Sequence, residues 1–333
     1  MCAPGAAITS STTSKPLTAW AITTGEAGMR TQARGLASAV AADVVEKIVG
    51  VRWPWSWFQS GWPGVLKGVQ PREGGPLAPP WPDVIVTCGR RSAIVGVAVK
   101  AAAGGAPVLA HVQDPLARPG RFDLIVAMEH DLVRGPNVVR VVTALHDMTP
   151  EKLAAGRAAW QARFAPLPRP LVGVLLGGPT RGSAFGPAEA SALHERLSAL
   201  RASLGGSFVV VPSRRTPDEA LAVFRRAAAD DPAAWVWDRT GDNPYVGVLA
   251  LADRLVVTGD SVSMVSEALA TPHPVEVFAG RLRKRHEGFI RTLVDHGVVR
   301  IFDGQAFDHP PRPVVDATRR AAEALREAIA RRG

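Results

Sequence analysis

Residues 256–269 read VVTGDSVSMVSEAL, and this stretch decides the fold. Its apolar run is typical of a buried strand, Gly259 and Asp260 of a tight turn, and the serines that follow of a helix start. The N–H groups at such a helix start attract anions, and the helix dipole adds to that attraction. Glu267 lies about one helical turn after Ser263, so we expect both side chains to face one pocket.

Two interpretations of this turn stay open. In the first, the helix start holds a phosphate, and Glu267 faces the cleft and accepts hydrogen bonds from a ribose diol. Loss of that carboxylate would then weaken nucleotide binding and leave the melting temperature nearly unchanged. This interpretation assigns a nucleotide-sugar site to Asp260, Ser261, Ser263 and Glu267. In the second, the same residues only cap a helix, which is a common use of these residue types.

Short apolar runs alternate with helix-like segments, a pattern that predicts parallel sheets with crossover helices. The alternation stops at a proline cluster, residues 166–170, and restarts at Leu171. We therefore predict an α/β fold with two Rossmann-like doubly wound domains facing across a cleft, where ligands bind beyond the carboxyl ends of the strands. The predicted parts are a disordered tail (1–16), an N-terminal domain (17–165), a C-terminal domain (166–312) and a C-terminal helix that crosses back (313–333).

Composition narrows the class of protein. Of the 333 residues, 47% are hydrophobic and 21% charged, which fits sizeable cores, and no apolar run has the length of a membrane span. A net charge of +9 admits three partners: nucleic acid, an anionic membrane surface or phosphorylated substrates. No zinc-finger spacing or RNA-recognition signature occurs, so nucleic acid is not a predicted partner. Cys2 and Cys88 fit neither a disulfide framework nor a metal site, and without a signal peptide the predicted location is cytoplasmic.

Gly, Ser, Thr and Arg recur where the predicted strands end, and an anionic phosphate ligand needs this combination. In the first domain, the predicted acceptor or phosphate loop consists of Gly25, Gly28, Gln32, Arg90 and Arg91. In the second domain, the nucleotide-sugar site is extended by Gly178, Arg181, Ser213, Arg214, Asp242 and Asn243. A GxGxxG fingerprint and a P-loop are both missing from the sequence, and no cofactor is predicted.

The catalytic candidates are His111, Asp114 and Glu26. His111 and Asp114 end the strand-like run 107–112, Glu26 follows the run 18–23, and a histidine can act as a base at neutral pH. The run Glu129-His130-Asp131 follows another strand and is an alternative source of the base. A hydrogen-bonded loop role for His111 is the competing interpretation. No metal is predicted, because the sequence has no DxD triplet.

Residues 52–62, RWPWSWFQSGW, contain four of the nine tryptophans. Indole rings favour the membrane–water interface, and Arg52 and Lys67 flank the cluster. Peripheral contact with the inner face of a membrane is therefore predicted for Trp53, Trp55, Trp57 and Trp62. The competing interpretations are a loop folded over its own small core and a protein–protein interface.

Several motifs together carry a family resemblance: GEAGMRTQARGL (25–36), CGRRS (88–92), HVQDP (111–115), EHD with GPN (129–137), PSRRT (212–216), GDNPY (241–245) and GDSVSMVSE (259–267). On these motifs, residues 18–302 resemble the bacterial branch of the mitochondrial-fission "elongated mitochondria" family. That family is similar in organisation to GT-B glycosyltransferases, in which a Ser/Glu turn of the 261–267 type holds a nucleotide-sugar.

The resemblance implies a GT-B-like protein that binds a nucleotide-diphosphate sugar, and the predicted activity is metal-independent glycosyl transfer at the membrane surface, with a lipid-linked acceptor. Plant members are associated with recruiting the fission dynamin to mitochondria, so a non-catalytic interaction protein with a protein partner is the alternative. Bacterial members are often labelled nucleoside-diphosphate-sugar epimerases. The Tyr-x-x-x-Lys pair of dinucleotide-dependent epimerases is missing here, because Tyr245, the single tyrosine, has Leu249 four residues on.

Overall fold

The computed structural model describes residues 16–57, 61–180, 182–306, 308 and 312–332, and within them two open sheets organise the chain. The strands are β1 (Thr18–Thr23), β2 (Asp43–Val51), β3 (Val69–Glu73), β4 (Val84–Cys88), β5 (Val108–Val112), β6 (Leu124–Met128), β7 (Val138–Val141), β8 (Leu171–Leu176), β9 (Ser207–Pro212), β10 (Ala234–Val236), β11 (Arg254–Thr258), β12 (Val275–Phe278) and β13 (Arg300–Ile301). The α-helices are α1 (Ala27–Ser38), α2 (Arg90–Ala102), α3 (Pro150–Phe164), α4 (Pro187–Leu204), α5 (Asp218–Ala228), α6 (Tyr245–Leu251), α7 (Val262–Leu269), α8 (Lys284–Asp295) and α9 (Ala317–Ala330). Except for Pro16, the predicted tail (1–16) lies outside the described residues.

Both sheets have a doubly wound strand order. The first runs β3-β2-β1-β4-β5-β6-β7 and is parallel except for β3, and the second runs β10-β9-β8-β11-β12-β13 with every pair parallel. The order reverses between β1 and β4 and again between β8 and β11, and ligands of open parallel sheets bind at such a point. The predicted α/β class with two Rossmann-like domains is confirmed.

The stretch 256–269 folds as its pattern predicts. Val256 and Val257 of β11 are fully buried, because β11 lies in the middle of a parallel sheet that is covered on both faces. The Ser261 side chain caps α7 by accepting a hydrogen bond from the Met264 N–H. The helix therefore begins directly beyond the carboxyl end of the strand, where its N-terminus is presented to the cleft.

The two halves each supply a helix to the other. Helix α9 packs on the first sheet, where Thr318 Oγ1 accepts from the His146 N–H at 2.9 Å and donates to the His146 carbonyl at 2.8 Å. Helix α3 packs across α6, with Trp160 directly against Gly247. The predicted return of the C-terminal helix to the first domain is confirmed. The domain boundary at residues 165–166 stays a prediction.

Candidate functional site

A cavity of about 350 Å³ lies between the carboxyl edges of the two sheets. The first half of the chain contributes Gly28, Met29, Gln32, Gln113, Met128, His130 and Ala144, and the second half contributes Arg215, Asp260, Ser261, Val262, Ser263, Arg283, Arg285 and His286. Because both domains line it, we refer to this cavity as the cleft.

Two helix N-termini meet in the cleft. Gly28 lies in the first turn of α1, and a Cβ atom there would be 3.2 Å from Ser263 Oγ in the first turn of α7. Gln32 is buried and donates to the Gly28 carbonyl at 3.0 Å, which fixes its side chain along α1. The N-terminal ends of both helices carry partial positive charge, so their meeting point favours an anion.

Three arginines of the second domain reach the same cavity. Arg215 follows β9, and Arg283 and Arg285 follow β12. Arg215 donates to the Gly178 carbonyl at 2.9 Å, and Arg285 lies 3.4 Å from an Asp131 oxygen. The side chains of Arg215 and Arg285 are about half exposed, so a ligand that enters the cleft can reach both guanidinium groups.

His286 is neutral at pH 7 and holds one of these arginines in place. Burial, together with the nearby Arg283, Arg285 and Arg215, lowers the pKa of His286 to about 4. Its Nε2 atom is 2.9 Å from the Arg283 guanidinium, and its Nδ1 atom is 3.3 Å from Ser183 Oγ. A neutral imidazole can accept the hydrogen bond from Arg283 without adding another positive charge to the cluster.

Asp260 joins three strand-end loops. Its Oδ2 atom accepts from the Gly178 N–H at 2.7 Å and lies 3.5 Å from the Arg215 guanidinium. A Cβ at Gly177 would lie 2.2 Å from an Asp260 oxygen, and a Cβ at Gly178 would lie 2.2 Å from the Arg215 carbonyl. Burial raises the pKa of Asp260, while the hydrogen bond from Gly178 opposes the shift. The two glycines therefore let the β8 loop close onto Asp260.

Some of the residues predicted from the sequence line the cleft or its wall. The structure brings together Gly28, Gln32, Asp260, Ser261 and Ser263, with Gly178 directly behind Asp260. Ser213 supports the neighbouring turn, because its hydroxyl donates to the Gly177 carbonyl at 2.8 Å. Gly25 and Arg214 line an adjacent cavity of about 420 Å³, together with Arg30, Arg34, Glu46 and Asp147.

Other predicted residues lie elsewhere. Asp242 lines a separate cavity beside Trp160 and Trp237, and the Asn243 side chain accepts from the Tyr245 N–H at the start of α6. Arg90 donates to the Trp57 carbonyl at 3.3 Å, and Arg91 is exposed at the start of α2. Arg181 lies outside the described residues.

Glu267 differs from the exposed carboxylate that the sequence predicts. It is buried, and the Tyr245 hydroxyl donates to its carboxylate. The reason is that the loop after β7 covers this turn of α7, where the Ala144 N–H donates to Ser266 Oγ at 3.0 Å. Burial raises the pKa of Glu267 to about 7, against the opposing effect of the Tyr245 hydrogen bond. Its contact with a ribose stays a prediction.

The three catalytic candidates are held in local hydrogen bonds. His111 is fully buried, its Nδ1 atom is 2.7 Å from Thr87 Oγ1, and burial lowers its pKa to about 3. Glu26 accepts from the Thr24 hydroxyl at 2.5 Å, and Asp114 accepts from the Leu116 N–H at 2.8 Å. His130, which the sequence offers as an alternative base, lines the cleft.

Sequence reasoning missed the cationic side of the cleft. The sequence predicts Arg214 of the PSRRT turn as a ligand contact, whereas the neighbouring Arg215 lines the cleft. Arg283 and Arg285 are not among the predicted residues, although they lie in the basic run RLRKRH (281–286) directly after β12. A basic run beyond the carboxyl end of a parallel strand is the signal that would have found them.

Of the four tryptophans predicted to contact a membrane, three have exposed rings and one has a packed ring. Trp53, Trp57 and Trp62 are 76%, 78% and 47% exposed. The Trp55 ring lies directly over Gly68, where a Cβ would be 2.4 Å from its Cε3 atom. Across the described ranges, no helix combines the length and the apolar character that a membrane crossing requires.

Comparison with known proteins shows what this chain is similar to. A family model described as Mitochondrial fission ELM1 matches residues 27–329. The mitochondrial fission protein ELM1 of Arabidopsis thaliana is 30% identical over 281 residues, which make up 76% of this chain and 65% of that protein, so the chain spans just under two thirds of that relative's length. An uncharacterised protein of Rickettsia prowazekii is 24% identical over 260 residues, or 67% of this chain and 72% of that protein.

Among solved structures, the UDP-GlcNAc 2-epimerase of Methanocaldococcus jannaschii is similar with a TM-score of 0.54. The similarity covers 94% of this chain and 91% of that protein at 11% sequence identity. At that identity the match shows the fold alone, which is the GT-B arrangement of two facing domains.

Proposed function

The chain belongs to the mitochondrial fission ELM1 family, and from that premise we propose that it binds a nucleoside-diphosphate sugar in the cleft. The observation that carries the proposal is the convergence of Arg215, Arg283 and Arg285 on the N-terminus of α7. Guanidinium groups form charge-assisted, often bidentate hydrogen bonds with phosphate oxygens. A helix start adds N–H donors for the same group. This combination favours a diphosphate over a neutral ligand.

The lining of the cleft by both domains supports a sugar beyond the diphosphate. The arginines belong to the second domain, and the opposite wall belongs to the first domain, where Gln113 and His130 supply polar groups. The similar solved structure is named a UDP-GlcNAc 2-epimerase, and this name supports a uridine diphosphate sugar as the first ligand to test. We assign the diphosphate to the second domain and the sugar and acceptor to the space beside the first.

Glycosyl transfer is the reaction that this arrangement fits best. Burial lowers the pKa of His130, so its imidazole is neutral at pH 7 and can accept the proton of an acceptor hydroxyl. The acceptor oxygen forms the new bond to the anomeric carbon as the bond from that carbon to the diphosphate oxygen breaks, and the three arginines stabilise the negative charge that grows on the leaving diphosphate. We propose a lipid-linked acceptor, which is consistent with exposed tryptophans on the first domain.

A scaffold role is the second candidate. The observation that favours it is the similarity to a plant protein whose name gives mitochondrial fission as its role. In that case, the cleft binds its ligand without turnover, and the surface recruits a protein partner. The fold is compatible with both functions, because function resides in the site and not in the fold.

A thermal-shift screen followed by a turnover assay tests the proposal. UDP-GlcNAc, UDP-glucose, GDP-mannose, UDP and UMP are compared, and a ligand present at about 100 times its Kd adds about 2.7 kcal/mol of stability. Stabilisation by a diphosphate, with a much smaller effect of UMP, supports the binding site. Release of the free diphosphate in the presence of an acceptor supports transfer, and epimerisation of the sugar is measured in parallel. Binding without turnover supports the scaffold role, and the absence of any diphosphate effect contradicts the proposal.

A further inference from the structure

We propose that the first domain docks on the surface of an anionic phospholipid bilayer through the loops at the carboxyl edge of its sheet. The apolar part of this surface consists of side chains that are 76%, 78%, 47%, 66% and 85% exposed, namely Trp53, Trp57, Trp62, Leu116 and Leu132. Its basic part consists of Arg52, Lys67, Arg90, Arg91, Arg118 and Arg121. We call these residues together the docking ridge.

The apolar members of the docking ridge lie at the carboxyl edge of the sheet although they are far apart in sequence. Among the basic members, Arg118 and Arg121 lie toward the amino end of β7, because the Asn137 amide donates to the Pro119 carbonyl at 2.9 Å and to the Phe122 carbonyl at 2.8 Å. The tryptophans follow β2, Leu116 follows β5, and Leu132 follows β6, so each lies beyond the carboxyl end of a strand. Contacts join the loops side by side. Arg90, which follows β4, donates to the Trp57 carbonyl at 3.3 Å, and the Arg121 guanidinium lies directly against Gly61.

The charge of the docking ridge is net positive. Residues 52–57, 61–68, 89–92, 113–121 and 129–134 contain seven basic residues and three acidic residues, Asp114, Glu129 and Asp131. The Asp114 carboxylate also accepts from the Leu116 N–H, which ties it into its own loop. Basic residues close to a membrane surface are attracted by anionic lipids within about a Debye length.

Apolar and basic groups interleave here as a membrane interface requires. Indole rings settle at the headgroup level, and leucine side chains enter the acyl boundary, while arginines remain at the phosphates. A monomeric protein rarely leaves several large apolar side chains exposed in one region unless they contact something. A second copy of this chain fits less well, because self-association would bring two sets of six basic residues together.

Vesicle co-sedimentation of the full chain without nucleotide tests the proposal independently of the cleft. The vesicles are phosphatidylcholine alone and phosphatidylcholine mixed with phosphatidylglycerol, at low and at physiological salt. We expect partitioning at least about tenfold stronger on the anionic vesicles, and weakening with salt.

Two ridge variants and one matched control complete the experiment. The tryptophan variant, Trp53→Ser with Trp57→Ser and Trp62→Ser, removes apolar contact. The charge variant, Lys67→Gln with Arg91→Gln, removes two exposed positive charges. Each should weaken anionic binding at least about tenfold. Leu204→Ser with Val314→Ser removes exposed apolar side chains outside the docking ridge and should leave binding unchanged. If the tryptophan variant does not fold, the charge variant alone tests whether the docking ridge binds the anionic vesicles.

Three outcomes would overturn the proposal. The first is no binding to anionic vesicles by folded, monodisperse protein. The second is equal binding by the parent and both ridge variants. The third is a concentration-dependent dimer, seen by sedimentation velocity, that the tryptophan variant loses, because this result would assign the surface to a second copy of the chain.

Discussion

Oδ2 of Asp260 lies 3.5 Å from a guanidinium nitrogen of Arg215, and the same oxygen accepts the Gly178 N–H at 2.7 Å. One buried carboxylate thus joins the loop after β8 to the loop after β9, at the point where the strand order of the second sheet reverses. Burial alone would penalise this charge, as the raised pKa of Asp260 indicates. Its position is explained if it orients Arg215 toward a ligand.

The first prediction concerns Asp260→Asn. The asparagine carbonyl can still accept from Gly178, but the ionic attraction to Arg215 is lost. We expect the affinity for a nucleoside diphosphate to fall about tenfold, or about 1.4 kcal/mol, with little change in the melting temperature.

Asp260→Ala serves as the contrast to this variant. It leaves the Gly178 N–H without its acceptor and should cost about 1–3 kcal/mol of stability. Calorimetric titration and thermal unfolding of both variants separate positioning from folding. If folded Asp260→Asn binds the nucleoside diphosphate as tightly as the parent, the claim that Asp260 orients Arg215 toward a ligand is contradicted.

The second prediction concerns the pH dependence of stability through Glu267. Its pKa in the folded protein, about 7, lies above the ordinary value of 4.5, so the native state holds a proton that the unfolded chain releases. This contribution to the free energy of unfolding is present below about pH 4.5 and is lost as the pH rises toward 7, and it amounts to about 3 kcal/mol.

Glu267→Gln keeps an acceptor for the Tyr245 hydroxyl and cannot titrate. Urea unfolding at about pH 5 and about pH 8 should therefore show a smaller loss of stability with rising pH in this variant than in the parent. Glu323→Gln, an exposed carboxylate on α9, should behave like the parent. Identical pH dependence of the parent and Glu267→Gln would contradict the buried placement of this carboxylate.

The third prediction concerns the docking of α9. Thr318→Val conserves volume but removes the hydroxyl that bonds both the N–H and the carbonyl of His146. We expect about 1–3 kcal/mol of destabilisation, because a buried backbone donor and acceptor lose their partner. Thr318→Ser keeps the hydroxyl and should cost less. Chemical denaturation measures both, and equal stability of the valine variant and the parent would argue against this contact.

The fourth prediction concerns His130 and applies once turnover has been found. His130→Gln should lower kcat by at least about 100-fold, the scale of a lost general base, while ligand affinity changes little. Because burial lowers the pKa of His130, the turnover rate of the parent should fall only when the pH drops below 6.5. The variant should not show this fall. His296→Gln, an exposed histidine that contacts Glu129 at 2.9 Å, is the matched control. A retained acid limb in His130→Gln would assign the base elsewhere.

Much of the fold could be predicted from the sequence because apolar runs in buried parallel strands are nearly continuous. The apolar runs 18–23, 124–128, 171–176, 254–258 and 275–278 predict five strands, and β1, β6, β8, β11 and β12 have these bounds. β2 was missed because charged residues interrupt its run. Its Lys47 is buried nonetheless, and its amine donates to the Pro76 carbonyl at 3.0 Å and lies 4.4 Å from the Trp20 ring centre. α8 was missed because its first turn is basic, KRHE, and carries no helix cap.

The site was harder to predict, because the type of residue at a strand end does not determine where its side chain points. Arg214 and Arg215 are neighbours in one turn, yet they line different cavities. Ser263 and Glu267 are one helical turn apart, yet a loop from the first domain covers the second of them. The first difference arises from contacts of Arg215 with Gly178 and Asp260 in the second domain, and the second from a contact between the two domains. Local sequence patterns carry no information about either kind of contact.

The most direct test of the central claim is calorimetric titration of UDP-GlcNAc, UDP and UMP into the parent, into Arg283→Gln with Arg285→Gln, and into Arg319→Gln, an exposed arginine of α9. The account predicts that UDP and UDP-GlcNAc bind the parent and Arg319→Gln equally, that UMP binds at least about tenfold more weakly, and that the double variant loses about 100-fold in affinity for UDP. Equal affinity of the parent and the folded double variant for UDP, or no binding of any of the three ligands to the parent, would contradict it.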